Sequence, residues 1–463
     1  MKTNKPSSEI DLFTPFYEIF HEICLLLVTL AGMLMKWGFK KAFNTYVPVK
    51  AIERKALTVK KTTDLDESLG IDVSTKKPIL LKSLDTRRHT FIAGSSGFGK
   101  TNLMSILQED ALSRGRPIIF FDPKGDMEAL TTFQAICQKY QRPCYIFSEH
   151  YPESISLNPL TDGTVNQVVD RIMRAFKWEN SFYESCAWSA LMSVCQAIEK
   201  EEETISFKEI TKRLVALNNK DIAGLVNQLE KIQKSDFGRI LNSGRDGLTL
   251  AKIRQERACL YIGLSTQGYG ETASAIGKIF LGELLFNSYH SLKSSNAGLR
   301  LANPISVHFD EFGSLVIPEF INLQNKCRGA GIELTMAVQS IADIDAVSEQ
   351  LTSQIVENCG NLFVFKQRVQ KSAEYFSQAI GTTLTRKETH RIDNGEIQAQ
   401  GSAREVNEML VHPDIIKNLN VGQCVLLRQA PSQINLINVR ERKAQVQVQE
   451  IPQAQRKLGA FEH

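Results

Sequence analysis

The chain has 463 residues, 43% of them hydrophobic and 23% charged, enough for a large core and two or three folded domains. A formal net charge of +4 falls short of the strongly basic signature of a dedicated nucleic-acid-binding domain. Nine cysteines are scattered without a C-x-x-C pair, Cys137 and Cys144 being the nearest two, so zinc spacing is lacking and reduced, mostly buried thiols are the simpler reading.

The first 48 residues read as a membrane anchor and its flanks. The uncharged run from Ile23 to Met35 is short of the roughly twenty residues that span a bilayer. Ile19 to Phe39 is long enough if Lys36 snorkels and His21 and Glu22 lie near the opposite interface. Lys36, Lys40 and Lys41 then hold the rest of the chain in the cytoplasm. An interfacial amphipathic helix is the alternative. Residues 49–83 follow as a basic, polar linker.

From residue 84 the pattern becomes strand–helix alternation. "HTFIAG" is a short apolar strand, and "TNLMSILQEDALSRG" carries apolar residues at helical spacing up to Gly115. Between them, Gly94-Ser95-Ser96-Gly97-Phe98-Gly99-Lys100-Thr101 fits G-x-x-x-x-G-K-[ST], the P-loop. Its glycines let backbone N–H groups face an anion, and the following helix adds its N-terminal partial charge. Lys100 is expected to reach the β/γ-phosphates of ATP, and the Thr101 hydroxyl to hold Mg²⁺. A plain glycine turn does not account for the lysine and threonine at those positions.

"FFDPKGDME" puts Asp122 and Lys124 at the mouth of the next strand, a further expected ligand position, although an ordinary Asp-Pro-Lys-Gly turn reads equally well. Residues 84–162 form the first part of an α/β nucleotide-binding domain. Residues 163–250 show no convincing strand and read as an all-α insertion, with Ala187, Leu191, Val194 and Ile198 on one helical face and a capping box Ser206-x-x-Glu209.

Residues 251–442 return to short apolar runs such as "CLYIGLS", "IELTMAV", "NLFVFK" and "GQCVLL", as strands buried on both faces of a parallel sheet do. "ISVHFDEFG" delivers Asp310 and Glu311 at a strand end: Asp310 for the Mg²⁺ shell, Glu311 to orient and activate water. Gln339 ends a later strand as a neutral side chain for the γ-phosphate or its water. Arg328, in "NKCRGAGIELTM", is by itself an ordinary surface arginine. Residues 443–463 are a polar tail.

The pieces "GSSGFGKT", "FDPKGD", "SLNPL", "HFDEFGSL", "CRGAGIELTMAVQSIADID" and "REVNEMLVHPDIIKNLNVGQCVLL" occur in this order between Phe91 and Leu427. In this the chain resembles the type IV secretion coupling proteins, the TraD/TraG group of conjugative ATPases. The resemblance implies a RecA-like P-loop fold with a mostly parallel sheet, an inserted all-α domain and an N-terminal inner-membrane anchor. It implies a homohexamer that hydrolyses ATP, receives a relaxase with its single-stranded DNA, and feeds them to a type IV secretion channel. It makes Gln339 the phosphate-sensing glutamine and Arg328 a residue acting on the neighbouring subunit's nucleotide. The family usually has two membrane helices and often a long C-terminal extension, and this chain has room for one helix and a short tail. Two readings compete: a double-stranded DNA translocase of the same motor class, and a non-pumping ATP-binding receptor for secreted proteins.

Overall fold

The computed structural model describes residues 67–81, 84–242, 248–293, 303–393 and 396–442, with Thr29 alone among the earlier ones. The expected anchor at 1–48 and the tail at 443–463 therefore lie outside the described residues. Among the described residues no helix is long and apolar enough to cross a membrane.

One eleven-stranded sheet organises the chain. Seven strands run parallel in the order β9 (Asn361–Val364), β3 (Thr90–Ala93), β8 (Ile332–Val338), β7 (Ile305–Phe309), β4 (Ile118–Asp122), β6 (Cys259–Gly263) and β5 (Cys144–Phe147). Every residue of β3, β4, β6, β7, β8 and β9 is buried, which is why they read as unbroken apolar runs. Beyond β9 the sheet turns antiparallel through β12 (Gln423–Gln429), β13 (Ser432–Val439), β1 (Ser68–Asp72) and β2 (Pro78–Leu80).

This corrects the linker expected at 49–83: its last part is an edge of the sheet. Leu69 and Leu81 are buried there, and Arg440 Nε donates to the Ser68 carbonyl at 2.7 Å. A short strand holding one glycine, Gly70, and preceded by the acidic Asp66 and Glu67 gives little periodicity to read.

Between β5 and β6 the described chain is helical: α3 (Val165–Ala175), α4 (Ser181–Lys200), α5 (Phe207–Ala216), α6 (Ala223–Lys234) and α7 (Leu250–Glu256), following α1 (Lys100–Ser113) and α2 (Met127–Lys139). Ala187, Leu191, Val194 and Ile198 of α4 are all buried. The capping box is half made. Ser206 accepts from the Glu209 N–H at 3.2 Å, but the Glu209 carboxylate turns to Arg213 Nε at 2.7 Å.

The P-loop helix α1 is clamped from outside the parallel core. Glu109 faces Arg442 Nε at 2.9 Å, Arg440 at 3.6 Å and Lys139 at 3.6 Å, and Asn102 bonds the backbone of both Arg440 and Arg442. Glu109 and the two arginines are almost wholly shielded from water. Glu109→Ala, by leaving buried cations without a counter-charge, should lower stability by about 3–5 kcal/mol in urea unfolding. A loss below about 1 kcal/mol, the range of exposed pairs, would show that this clamp is not desolvated in solution.

Candidate nucleotide site

The loop from Gly94 to Gly99 connects β3 to α1. Two of its glycines have backbone conformations that other residues resist, Gly97 at φ 80° and Gly99 at φ 107°. Gly94 is required for a different reason: a Cβ there would stand 2.5 Å from Cβ of Phe365. The loop is pinned by Gly94 N–H to the Val338 carbonyl (3.1 Å) and Ser95 N–H to the Lys366 carbonyl (3.0 Å), while Ser96 and Gly97 at its apex face solvent. No side chain caps α1, whose N-cap is Gly99, so its first-turn donors point at the loop.

Lys100 is buried, and its ammonium donates to the Gly94 carbonyl at 2.6 Å and the Ser95 carbonyl at 3.3 Å. Burial lowers its pKa, and the nearby Asp310 carboxylate counteracts that. Thr101, one residue into α1, is exposed.

Asp310 and Glu311 follow β7 at the same edge. Asp310 is buried and accepts from the Glu311 N–H at 3.0 Å. Burial raises its pKa, with Lys124 acting against the rise. Glu311 takes the left-handed conformation, φ 43°, unusual for a residue with a Cβ. This turns its carboxylate towards two partners that share Oε1: Lys124 Nζ at 3.0 Å and Gln339 Nε2 at 2.7 Å. Lys124 also stands 3.8 Å from Asp310. Burial disfavours its charge, but the two carboxylates outweigh that and hold the ammonium above the ordinary lysine range.

Asp122 departs from the expected ligand position. It is fully buried, and its oxygens accept from Lys124 N–H (3.0 Å), Asp126 N–H (3.0 Å) and the Tyr261 hydroxyl (2.5 Å). It shapes the turn that presents Lys124 and is wholly enclosed there. Burial, partly offset by the Tyr261 hydrogen bond, raises its pKa to about 6. Gly125 completes the turn at φ 62°, where a Cβ would meet Ser265 Oγ at 2.2 Å.

Gln339 is held in turn by residues the motif pattern does not single out. Asp343 accepts from the Gln339 and Ser340 N–H groups at 3.1 and 3.0 Å, and Gln367 Nε2 donates to the Gln339 carbonyl at 3.2 Å. Asp343 lies four residues after Gln339, a helix-start spacing visible in "QSIAD". Gln367 ends an apolar strand and carries no local signal.

Arg328 is not among this group. It is exposed, is the C-cap of α9 (Phe320–Cys327), and stands four positions before β8. Gln339 follows the other end of β8, whose seven residues span about 20 Å. Arg328 and its own P-loop thus lie at opposite ends of the sheet.

Residues 73–255 match the family described as the central domain of helicase HerA, and residues 304–421 the family described as the TraM recognition site of TraD and TraG. Together they take in more than half of the chain. The bacterial conjugative coupling protein TrwB, in a form named TrwBdeltaN70, superposes with a TM-score of 0.61 at 14% identity, over 85% of this chain and 91% of that one. TrwB has also been solved with ADP and Mg²⁺. VirB4 of Thermoanaerobacter pseudethanolicus gives a TM-score of 0.56 at 13% identity, covering 83% and 98% of the two chains. An uncharacterized protein of Mycoplasma pneumoniae is 30% identical over 71 residues, 15% of this chain and 59% of that protein's length. The fold is the RecA-like P-loop fold of TrwB, and the chain is a P-loop ATPase. Over residues 304–421 the chain is similar to the TraD/TraG coupling proteins.

The buried Asp122–Tyr261 contact gives a test of the turn. With its pKa raised from 3.8 to about 6 on folding, Asp122 binds its proton more tightly in the native state, so its ionisation costs stability as pH rises from about 4 to 6. Tyr261→Phe removes a donor to the ionised form. It should cost about 1–3 kcal/mol in chemical denaturation at pH 8 and clearly less at pH 5. An equal loss at both pH values would count against an ionising Asp122.

Proposed function

We propose that the chain is an ATP-hydrolysing coupling motor, which takes a relaxase–DNA complex and drives single-stranded DNA towards a type IV secretion channel. The observation that carries the reading is the meeting of Lys124 and Gln339 on one oxygen of Glu311, at the edge where the Lys100 loop opens. The match at 304–421, to the TraM recognition site of TraD and TraG, supports the direction of the work.

The residues present fit ATP and Mg²⁺. Loop glycines in left-handed conformations, an uncapped helix start and a buried ammonium make an anion cradle. Asp310, Glu311 and the Thr101 hydroxyl are all oxygen donors of the kind Mg²⁺ takes. Mg²⁺, when bound, neutralises phosphate charge during transfer. Lys100 binds the phosphates once it exchanges its loop carbonyls for them. Asp310 and Thr101 hold the cation. Glu311 orients and activates water, while Gln339 fixes its carboxylate and Lys124 serves the phosphate end. Arg328, too far from its own loop, serves a neighbour in a homohexamer, where a fixed planar charge stabilises the transition state. The anchor places the chain at the bacterial inner membrane with this motor in the cytoplasm.

The match to helicase HerA at 73–255 favours a second reading, a double-stranded DNA translocase. Comparing ATPase stimulation by single- and double-stranded DNA separates the two. Single strands should give the larger effect, and salt should reduce it.

Glu311→Gln should retain ATP binding and lose turnover by 10²-fold or more, roughly the scale of general-base loss. Lys100→Ala should weaken both binding and turnover, since the cation meets phosphate in ground and transition states alike. Arg328→Ala should bind ATP normally and hydrolyse it poorly, and mixing it with Glu311→Gln should restore part of the rate. An unchanged kcat in Glu311→Gln overturns the assignment of the base. Failure of rescue, with specific activity independent of protein concentration, overturns action between subunits.

A further inference from the structure

α8 (Thr266–Lys293) is interrupted at Gly270, whose φ of 52° and ψ of −122° form a conformation that residues with a Cβ rarely adopt. No atom stands within 4 Å of where a Cβ would be, so the glycine serves the bend and not close packing. Before the bend lies a short limb, 266–269, entered through Ser265 at φ 44°. After it lies the long limb, 271–293.

Each limb is tied to a different half of the nucleotide site. On the short limb, Thr266 donates through its N–H and its hydroxyl to the Pro123 carbonyl, both at 2.7 Å, and Lys124 follows Pro123. On the long limb, the Ser274 hydroxyl donates to the Ser314 carbonyl at 2.8 Å. Ser314 donates in turn to the Glu311 carbonyl, through its hydroxyl at 3.0 Å and its N–H at 3.1 Å. Gly277 lets this limb close on the same segment, since a Cβ there would stand 2.5 Å from a Leu315 methyl. Lys124 and Glu311 themselves meet at 3.0 Å. Drawing Lys124 off Glu311 therefore pulls on the bend at Gly270.

The all-α insert grips both limbs. α3 lies so close to the long one that a Cβ at Gly282 would stand 2.7 Å from Arg171 Cγ. Tyr269 holds the short one: its hydroxyl donates to Asp236, in the turn after α6. The carboxylate pushes the hydroxyl's pKa up to about 12, so the donor keeps its proton at neutral pH. The Tyr269 ring also packs edge-on against Phe237, with 5.3 Å between centroids. Beside this bond a cleft of about 620 Å³ opens between α6 and the start of α8, lined by Lys231, Lys234 and Thr272. The short limb has room to swing there, and Asp236 follows it.

We propose that the Tyr269–Asp236 hydrogen bond couples the all-α insert to the nucleotide site, with the bend at Gly270 as the hinge, an inference that rests on the phosphate role given to Lys124 above. A single hydrogen bond changes an equilibrium roughly 2- to 10-fold, enough to link two sites.

The test uses the full chain with Mg²⁺ and a non-hydrolysable ATP analogue. Amide hydrogen exchange is followed across 223–239, with analogue affinity and melting temperature in parallel. In wild type the analogue should change exchange in this segment by about threefold or more. Asp236 is exposed, so its variants should keep the fold. Tyr269→Phe and Asp236→Ala should bind the analogue within about twofold of wild type and melt within a few degrees of it, yet lose the response. Asp236→Asn, which keeps an acceptor for the hydroxyl, should retain it. Wild type that binds the analogue with no change across 223–239 overturns the coupling and leaves the ATP site standing. A response that survives in Tyr269→Phe, or an equal loss in Asp236→Asn, overturns this hydrogen bond as the link. Wild type that fails to bind the analogue removes the nucleotide reading, and this inference with it.

Discussion

Two ammonium groups and two carboxylates converge at one edge of this sheet, and the convergence sets terms for everything around it. Lys100 and Asp310 are buried, and a buried charge is tolerated only where opposite charge and hydrogen bonds surround it. The ammonium and carboxylate groups come from residues 186 to 211 positions apart in sequence. Only parallel strands ending level with one another bring them together. The register does so: Ala93 pairs with Val338 on β3 and β8, and Phe309 with Met336 on β7 and β8. Phe121 pairs with neither loop but continues the same row from β4 through its partners on β7 and β6. Each strand then releases its functional residue within a few positions of its end.

The same demand explains the less obvious residue choices. Lys124 reaches Glu311 because Asp122 ties down the turn between them, and Asp122 can be enclosed because Tyr261 and two backbone N–H groups receive its charge. Gly125 and Ser265 make room for one another where the β4 and β6 ends meet. The Thr266 hydroxyl and N–H both donate to the Pro123 carbonyl at 2.7 Å, so the start of α8 (Thr266–Lys293) is fastened to the turn that carries Lys124.

Much of this was legible in the sequence, for definite reasons. Strands buried on both faces are apolar throughout, so "PIIFFD", "ISVHF" and "IELTMAV" read clearly. A phosphate loop needs glycines and a lysine at fixed spacing, so Gly94 to Thr101 did too. Local patterns do not report which face of a turn a side chain takes. Asp122 in "DPKG" therefore read both as a ligand position and as an ordinary turn, and its oxygens serve the turn. Gln367 and Tyr261 act across strands far apart in sequence, where no spacing rule applies. The edge strands β1 and β2 are mixed in polarity, and their pairing is set by tertiary neighbours more than by propensity.

The site is complete on one side and open on the other, and charge explains the asymmetry. Within one chain Lys100 and Lys124 already balance Asp310 and Glu311, so a polyphosphate entering the loop brings negative charge beyond what two ammoniums cover. Mg²⁺, which Asp310 and Thr101 would hold, would supply charge against part of that excess. Arg328, proposed above to act on the charge that accumulates during phosphoryl transfer, is held away from its own loop by the length of β8. A parallel sheet with its phosphate loop at one end and an exposed arginine at the other has no way to bring the two together by bending, since its interior is close-packed. In the proposed ring, stacking one copy's arginine end against the next copy's loop end would bring them together, and closed heterologous contacts would satisfy every site without leaving a free one.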